Sequence, residues 1–167
     1  PYTYEMLRRL RFFRMELPRL TTLTQAGGHM KPDLVREFVE GASRTDKRFF
    51  VMYGQTEATA RISFLPWEMA ESKCPSVGIA IPNGKMYLLD ENGAEIVESG
   101  RDGELVYAGR NVSLGYAEEK TDLMKKDENL GVLHTGDLAR RDEDGCFYIT
   151  GRMKRFVKVY GNRCNLD

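Results

Sequence analysis

The pattern of apolar residues changes character near residue 75, and that change points to a mixed α/β fold. Before it, strand and helix signals alternate. Residues 20–26 (LTTLTQA) suit a short strand, which Gly27-Gly28 breaks. Pro32 sits at a good first-turn position, and Leu34, Val35, Phe38 and Val39 recur at helical spacing. Gly41 is the expected stop. Arg48–Tyr53 (RFFVMY) reads as a second strand, nearly all apolar and expected to be buried on both faces. Upstream, residues 3–16 read as a helix with Met6, Leu7, Leu10 and Phe13 on its apolar side, and Pro18 ends that region.

After residue 75 short strands follow one another with tight-turn signals and little helix. Lys85–Leu89 leads into Asp90-Glu91-Asn92-Gly93, and residues 104–108 follow Asp102-Gly103. Residues 138–141 face residues 146–150 across Asp142-Glu143-Asp144-Gly145. This half is expected to be a small distorted antiparallel β-barrel or a curled antiparallel sheet. Residues 117–130 are polar with few apolar anchors and read as a short exposed helix and loop.

The chain has 167 residues with 25 Lys+Arg against 25 Asp+Glu. Zero net charge excludes a polyanion binder that works by bulk attraction, so no nucleic-acid partner is expected, although one locally built phosphate site remains open. The Arg8, Arg9, Arg11, Arg14 run therefore reads as a solvated helix face. No apolar run approaches the roughly 20 residues of a membrane span. Cys74, Cys146 and Cys164 are far apart, no CxxC pair occurs, and His29 and His134 are the only histidines. Free thiols in a cytoplasmic chain are the expectation, rather than a zinc site. A start at Pro1 and a stop at Asp167 directly after a strand-like run suggest a segment of a larger protein.

Four clusters carry possible chemistry. Tyr53-Gly54-Gln55-Thr56-Glu57 follows the buried strand, and in open α/β sheets ligands bind beyond the carboxyl ends of strands. A Tyr ring offers a face to a flat base, and Gly54 lets backbone approach a ligand. The Thr56 hydroxyl suits a phosphate oxygen, and Glu57 is a hard oxygen ligand for Mg²⁺ carried by phosphates. A turn that caps the next helix would use the same residues. Ala26-Gly27-Gly28-His29 leaves backbone amides bare at the end of the other strand, which a plain strand-to-helix turn would also do. Thr135-Gly136-Asp137 holds a carboxylate able to accept both hydrogens of a vicinal diol such as a ribose, and is equally a common turn. His134 beside it reads as a partly buried neutral residue. Arg152, after the last long strand, could reach the same ribose or a phosphate. Lys158 alternates with Phe156 and Val157, so it could be aimed rather than merely solvated.

Taken in order, YGQTE, GELVYAGRNVSLGYAEE and HTGDLARRDEDGCFYITGRMKRFVKVYGNR resemble the adenylate-forming superfamily of acyl-CoA synthetases, adenylation domains and luciferases. AGGHM at 26–30 resembles its adenine-side glycine motif. The phrasing is closest to acyl-CoA synthetase-like members. The resemblance implies a fragment of an ATP-dependent acid–thiol ligase of the fatty-acid-metabolism kind, with ATP/AMP, Mg²⁺ and CoA as cofactors or co-substrates. Its partners would be a small carboxylic acid, ATP, and CoA or a phosphopantetheine carrier.

The resemblance also implies roles. Gly28, His29 and Tyr53 would enclose adenine, with Gly54 and Gln55 in the same loop. Thr56 would touch the α-phosphate, Glu57 would hold Mg²⁺, and Asp137 and Arg152 would bind ribose. Lys154, where many members carry Asp, would be the hinge before a C-terminal lid. Lys158 and Gly161 would serve the thioester step. Residues 1–75 would be the last part of the α/β subdomain, 76–153 a β-barrel subdomain, and 154–167 the hinge and the start of the lid. Nothing in the sequence matches the family's Ser/Thr/Gly-rich phosphate loop or its lid lysine, so these residues alone are expected to be inactive. A carrier-loading adenylating enzyme and a non-catalytic nucleotide-binding module are the competing readings.

Overall fold

A computed structural model describes residues 1–153 in full and the backbone of two further paired strands, Phe156–Val159 and Asn162–Asn165. Lys154 and Gly161 lie outside the described residues, and nothing is described of the Lys158 side chain.

The first half holds helices α1 (Tyr2–Arg9) and α2 (Pro32–Arg44) with strands β1 (Thr22–Gln25), β2 (Arg48–Tyr53), β3 (Ser63–Leu65) and β4 (Ile79–Ala80). β1 and β2 pair in parallel across α2, the crossover that a strand–helix–strand pattern demands. β3 and β4 then extend the sheet antiparallel, in the order β1-β2-β3-β4. In β2 only Phe49 and Val51 are fully buried, so the strand is less enclosed than its apolar run implied.

Two details of the helices differ from the sequence reading. α1 stops at Arg9, and Arg11 turns left-handed (φ 53) before a single 3-10 turn, Phe12–Arg14. Its buried side chain is Tyr4, while Met6 and Leu10 are exposed. Tyr4 meets Phe38 edge-on at 4.8 Å and Phe49 at 5.5 Å, and its hydroxyl donates to the Thr24 carbonyl at 2.5 Å. Burial pushes that phenol up to about 12. A stripe count favours Leu and Met, but an aromatic that also satisfies a strand carbonyl buries more area with no polar group left bare. α2 runs past Gly41 to Arg44. Gly41 is not a stop but a contact point: a Cβ there would lie 2.3 Å from the Phe13 ring.

The second half is an antiparallel sheet of β5 (Lys85–Leu89), β6 (Glu95–Ile96), β7 (Asp102–Ala108), β8 (Val132–Arg141) and β9 (Phe147–Arg152), ordered β6-β5-β7-β8-β9. Among the described residues β6 and β9 do not pair, so the strands form the open curled sheet rather than a closed barrel. Residues 117–130 contain a 3-10 turn, Lys120–Met124, with Leu123, Met124 and Leu130 exposed. A short third helix, α3 (Ala70–Lys73), precedes the sheet and ties to it: Lys73 Nζ sits 2.9 Å from Asp142 Oδ2.

Each half has its own core. Phe38, Phe49, Leu65 and their neighbours fill the first, joined by Cys146 from the β8–β9 turn. Leu88, Leu105, Tyr107 and Phe147 lie in the second. Cys74 is half-buried and Cys146 buried, both free thiols. Among the described residues, no helix is long and apolar enough to cross a membrane.

Candidate functional site

The site forms where β2 ends beside an irregularity in β8. β7 pairs Glu104 with Leu138 and Val106 with His134, so Leu105 alone faces Thr135, Gly136 and Asp137. The excess residues bulge out of β8, with Gly136 at φ +69. Such bulges re-aim side chains. Thr135 anchors the bulge by donating its hydroxyl to the Leu105 carbonyl at 2.6 Å and accepting from the Asp137 amide at 3.1 Å. The Thr135-Gly136-Asp137 turn thus lies within a strand rather than between strands.

Asp137 is buried, at 5 % exposure. The β8–β9 register sets Arg152 opposite it, and Arg152 Nε donates to Oδ1 at 2.6 Å. Tyr53, from the last position of β2, donates its hydroxyl to Oδ2 at 2.5 Å. Gln55 Nε2 adds a bond to the same oxygen at 3.2 Å and one to the Thr135 carbonyl at 2.8 Å. A buried carboxylate requires such partners. Burial, then the Asp137 carboxylate, pushes the Tyr53 phenol far up, so it remains a donor. The Asp137 bond likewise raises Arg152. Among the described residues, no buried side-chain nitrogen or oxygen lacks a partner.

A pocket of about 350 Å³ opens beside this network, lined by Gln55, Glu57, Glu104, Tyr116, Leu133, His134, Thr135, Gly136, Arg152 and Met153. The Tyr116 hydroxyl donates to Glu57 Oε1 and is the largest cause holding that carboxyl below its ordinary value. His134 is exposed rather than partly buried, and its Nδ1 lies 3.1 Å from Glu104 Oε2.

The structure therefore brings Tyr53, Gln55, Asp137 and Arg152 into one hydrogen-bonded group and sets Gln55, Glu57 and Arg152 on one pocket wall. Gly54 and Thr56 sit in the intervening loop, and both are exposed. A Cβ on Gly54 would lie 2.4 Å from the Ala60 carbonyl oxygen. Gly28 and His29 are exposed at the same end of the β1–β2 pair but do not line the pocket, although Gln25 Nε2 donates to the Gly28 carbonyl at 2.8 Å. Trp67 carries Arg48 over its ring at 5.5 Å and does not line the pocket, and Leu65 is core.

Sequence reasoning missed Tyr116, Glu104 and Asn111. Tyr116 and Asn111 lie in GRNVSLGY, a stretch with neither helical nor strand periodicity, so its contacts had no local signal. Among the described residues no group of three or more His, Cys, Asp or Glu side chains could hold a metal ion.

Comparison with known proteins bears on this geometry. The family described as AMP-binding enzyme matches residues 1–117. A 4-hydroxybutyrate–CoA ligase of Metallosphaera sedula is 32 % identical over 149 residues, 88 % of this chain and 25 % of that protein. A D-alanine–D-alanyl carrier protein ligase of Staphylococcus haemolyticus is 36 % identical over 119 residues, 69 % of this chain and 22 % of that protein. The crystal structure of VinN superposes with a TM-score of 0.72 at 28 % identity, covering 90 % of this chain and 38 % of that one. The chain spans about a quarter of the length of these ligases, the figures being 25 % and 22 %. With the mixed α/β fold and the order of its motifs, the chain belongs to the AMP-binding enzyme family.

Proposed function

We propose that these residues form the nucleoside-binding part of a longer ATP-dependent acyl-activating enzyme. The reaction would be carboxylate plus ATP giving acyl-adenylate and pyrophosphate, followed by attack of a thiol to give a thioester. The observation that carries this reading is the buried Asp137 carboxylate, held by Arg152 and Tyr53 just behind an open pocket that Arg152, Gln55 and Glu57 line.

A carboxylate resists substitution because its oxygen leaves poorly. Its attack on the α-phosphorus expels pyrophosphate and makes AMP the later leaving group. Side chains then need only bind, orient and neutralise charge. In this reading Asp137 accepts the ribose hydroxyls and Arg152 braces the carboxylate from the other side. The Tyr53 ring, with Gly28 and His29, faces adenine, while Gly54 and Gln55 hold the loop between. Thr56 donates to the α-phosphate. Glu57 supplies one carboxylate oxygen to Mg²⁺, which would neutralise phosphate charge. Lys154 acts as hinge, and Lys158 and Gly161 belong to the thioester step. The division into 1–75, 76–153 and 154–167 goes with the same reading.

CoA is the proposed thiol, the acceptor in the name of the Metallosphaera sedula ligase to which 88 % of this chain aligns at 32 % identity. A phosphopantetheine carrier is the second reading, favoured by the 36 % identity to a carrier protein ligase. Assaying the whole protein for thioester formation on CoA against a carrier separates the two. ATP–pyrophosphate exchange tests the activity itself, and its absence alongside intact ATP binding would favour a non-catalytic module. Asp137→Ala should weaken ATP binding by about 1–3 kcal/mol, the worth of lost charge-assisted hydrogen bonds. Unchanged affinity would remove the ribose assignment.

A further inference from the structure

We propose that Asn111 is a positioning residue that clamps the loop 55–61 and so sets how Gln55 and Glu57 enter the pocket. The consequence for nucleotide chemistry rests on the function proposed above. The clamp itself rests on the geometry.

The loop follows a difficult path. Gln55 is extended, Thr56–Ala58 makes one 3-10 turn, and then Thr59 (φ 50) and Ala60 (φ 71) both turn left-handed. Neither is glycine, and Thr59 is β-branched, the type that tolerates this region least. Such residues persist only where their surroundings over-determine them, and they gather at functional sites. The loop's own backbone bonds are short-range: the amides of Ala58 and Ala60 both donate to the Gln55 carbonyl at 3.1 Å, that of Thr59 to Thr56 at 3.0 Å, and that of Arg61 to Ala58 at 3.4 Å.

Asn111 supplies the rest. Its Nδ2 donates to the Ala58 carbonyl at 2.6 Å and to the Arg61 carbonyl at 2.8 Å, the two carbonyls that bracket the left-handed pair. Its Oδ1 accepts from the Tyr107 hydroxyl at 2.7 Å, and Tyr107 is fully buried in the second core. Its backbone carbonyl accepts from Thr59 Oγ1 at 2.5 Å. Two places on, the Ser113 amide donates to the Glu57 carbonyl at 2.7 Å. An amide offers two donors and an acceptor in one plane, and here all are used. A carboxylate would lack the donors, and an apolar residue would lack both. Asn111 thus transmits the rigidity of the second core to the middle of a loop whose ends alone are held by strand pairing, Tyr53 opposite Ser63.

The test uses the whole protein and compares Asn111→Ala, the same variant with Ala60→Gly, and Tyr107→Phe. Glycine at 60 adopts positive φ without a Cβ penalty, so it should remove the need for the clamp. Asn111→Ala is expected to raise amide hydrogen exchange across 54–62 by about tenfold or more while α2 keeps its protection. It should lower kcat for pyrophosphate exchange by about tenfold with a smaller change in the KM for ATP. Ala60→Gly should restore most of both. A merely structural role would lower the melting temperature without this kinetic split and without rescue. Unchanged protection of 54–62, or failure of Ala60→Gly to restore it, would overturn the proposal. If Asn111→Ala does not fold, Tyr107→Phe, which keeps the ring and frees the amide, must loosen the same segment, and no loosening overturns the clamp. If the whole protein binds no nucleotide, the function proposed above falls, and hydrogen exchange still decides the clamp.

Discussion

The Tyr53 hydroxyl donates to Asp137 Oδ2 at 2.5 Å across 84 positions of sequence, joining the first sheet to the second. Arg152 takes the other carboxylate oxygen at 2.6 Å. The acid is therefore oriented by its own neighbours, and a ribose hydroxyl has to share an oxygen already in use. Tyr53→Phe keeps the ring and deletes the donor. Chemical denaturation should show a loss of about 1–2 kcal/mol, the worth of a hydrogen bond to a charged acceptor that keeps its other partners. ATP affinity of the whole protein should hold or improve, because a lone pair is released while the ring face stays. A parallel fall in affinity would mean that the hydroxyl, rather than the ring, meets the nucleotide.

Tyr116 is 71 % exposed, yet its hydroxyl is the leading cause of the low Glu57 pKa, with backbone bonding and Arg152 assisting. Because the folded value is depressed, the contact contributes fully above the ordinary value of 4.5 and is lost as pH falls through the lower folded value. Tyr116→Phe should bring the Glu57 midpoint back toward 4.5. Carbon-13 NMR of the labelled carboxyl reads this directly, and the acid limb of the pH–activity profile should move up with it. A midpoint that stays put would assign the shift to the backbone and Arg152 alone.

Lys154→Pro tests the proposed hinge. If the proposed hinge and lid hold, fixing φ at that position should spare the adenylation half-reaction and cripple thioester formation, the half-reaction assigned to lid rotation. Pyrophosphate exchange and thioester release, measured on one preparation, separate the two. Equal loss of both would place the hinge elsewhere.

What could be read in advance follows the range of the forces involved. β2 is bounded as its apolar run dictates, and the Asp/Asn-Gly turns mark the hairpins, because both signals are local. Asp137 and Arg152 could be paired with Tyr53 in thought only through the resemblance. Their actual contact depends on the β8 bulge and the β8–β9 register, which no single segment encodes. Tyr4 was missed as the anchor of α1 because its value lies in a carbonyl on β1. Asn111 was missed for the same reason: three of its four bonds reach 50 residues or more away in sequence, to the loop it holds.

Gly41 sets helix propensity against packing. In the interior of α2, Gly→Ala should gain about 1 kcal/mol from reduced backbone entropy. The added Cβ, however, would lie 2.3 Å from Phe13 Cε2 and 2.5 Å from Cδ2. That ring cannot withdraw freely, because Phe12 meets it at 5.0 Å and Phe38 at 5.1 Å. Overpacking of this kind costs about 1–3 kcal/mol, so the balance falls against alanine. Gly41→Ala should therefore lower the thermal midpoint. In a Phe13→Leu background, where the ring edge is gone, the same substitution should raise it relative to that background. Stabilisation by Gly41→Ala in the parent sequence would show that the Phe13 ring moves aside at little cost, and that the glycine is not there for the contact.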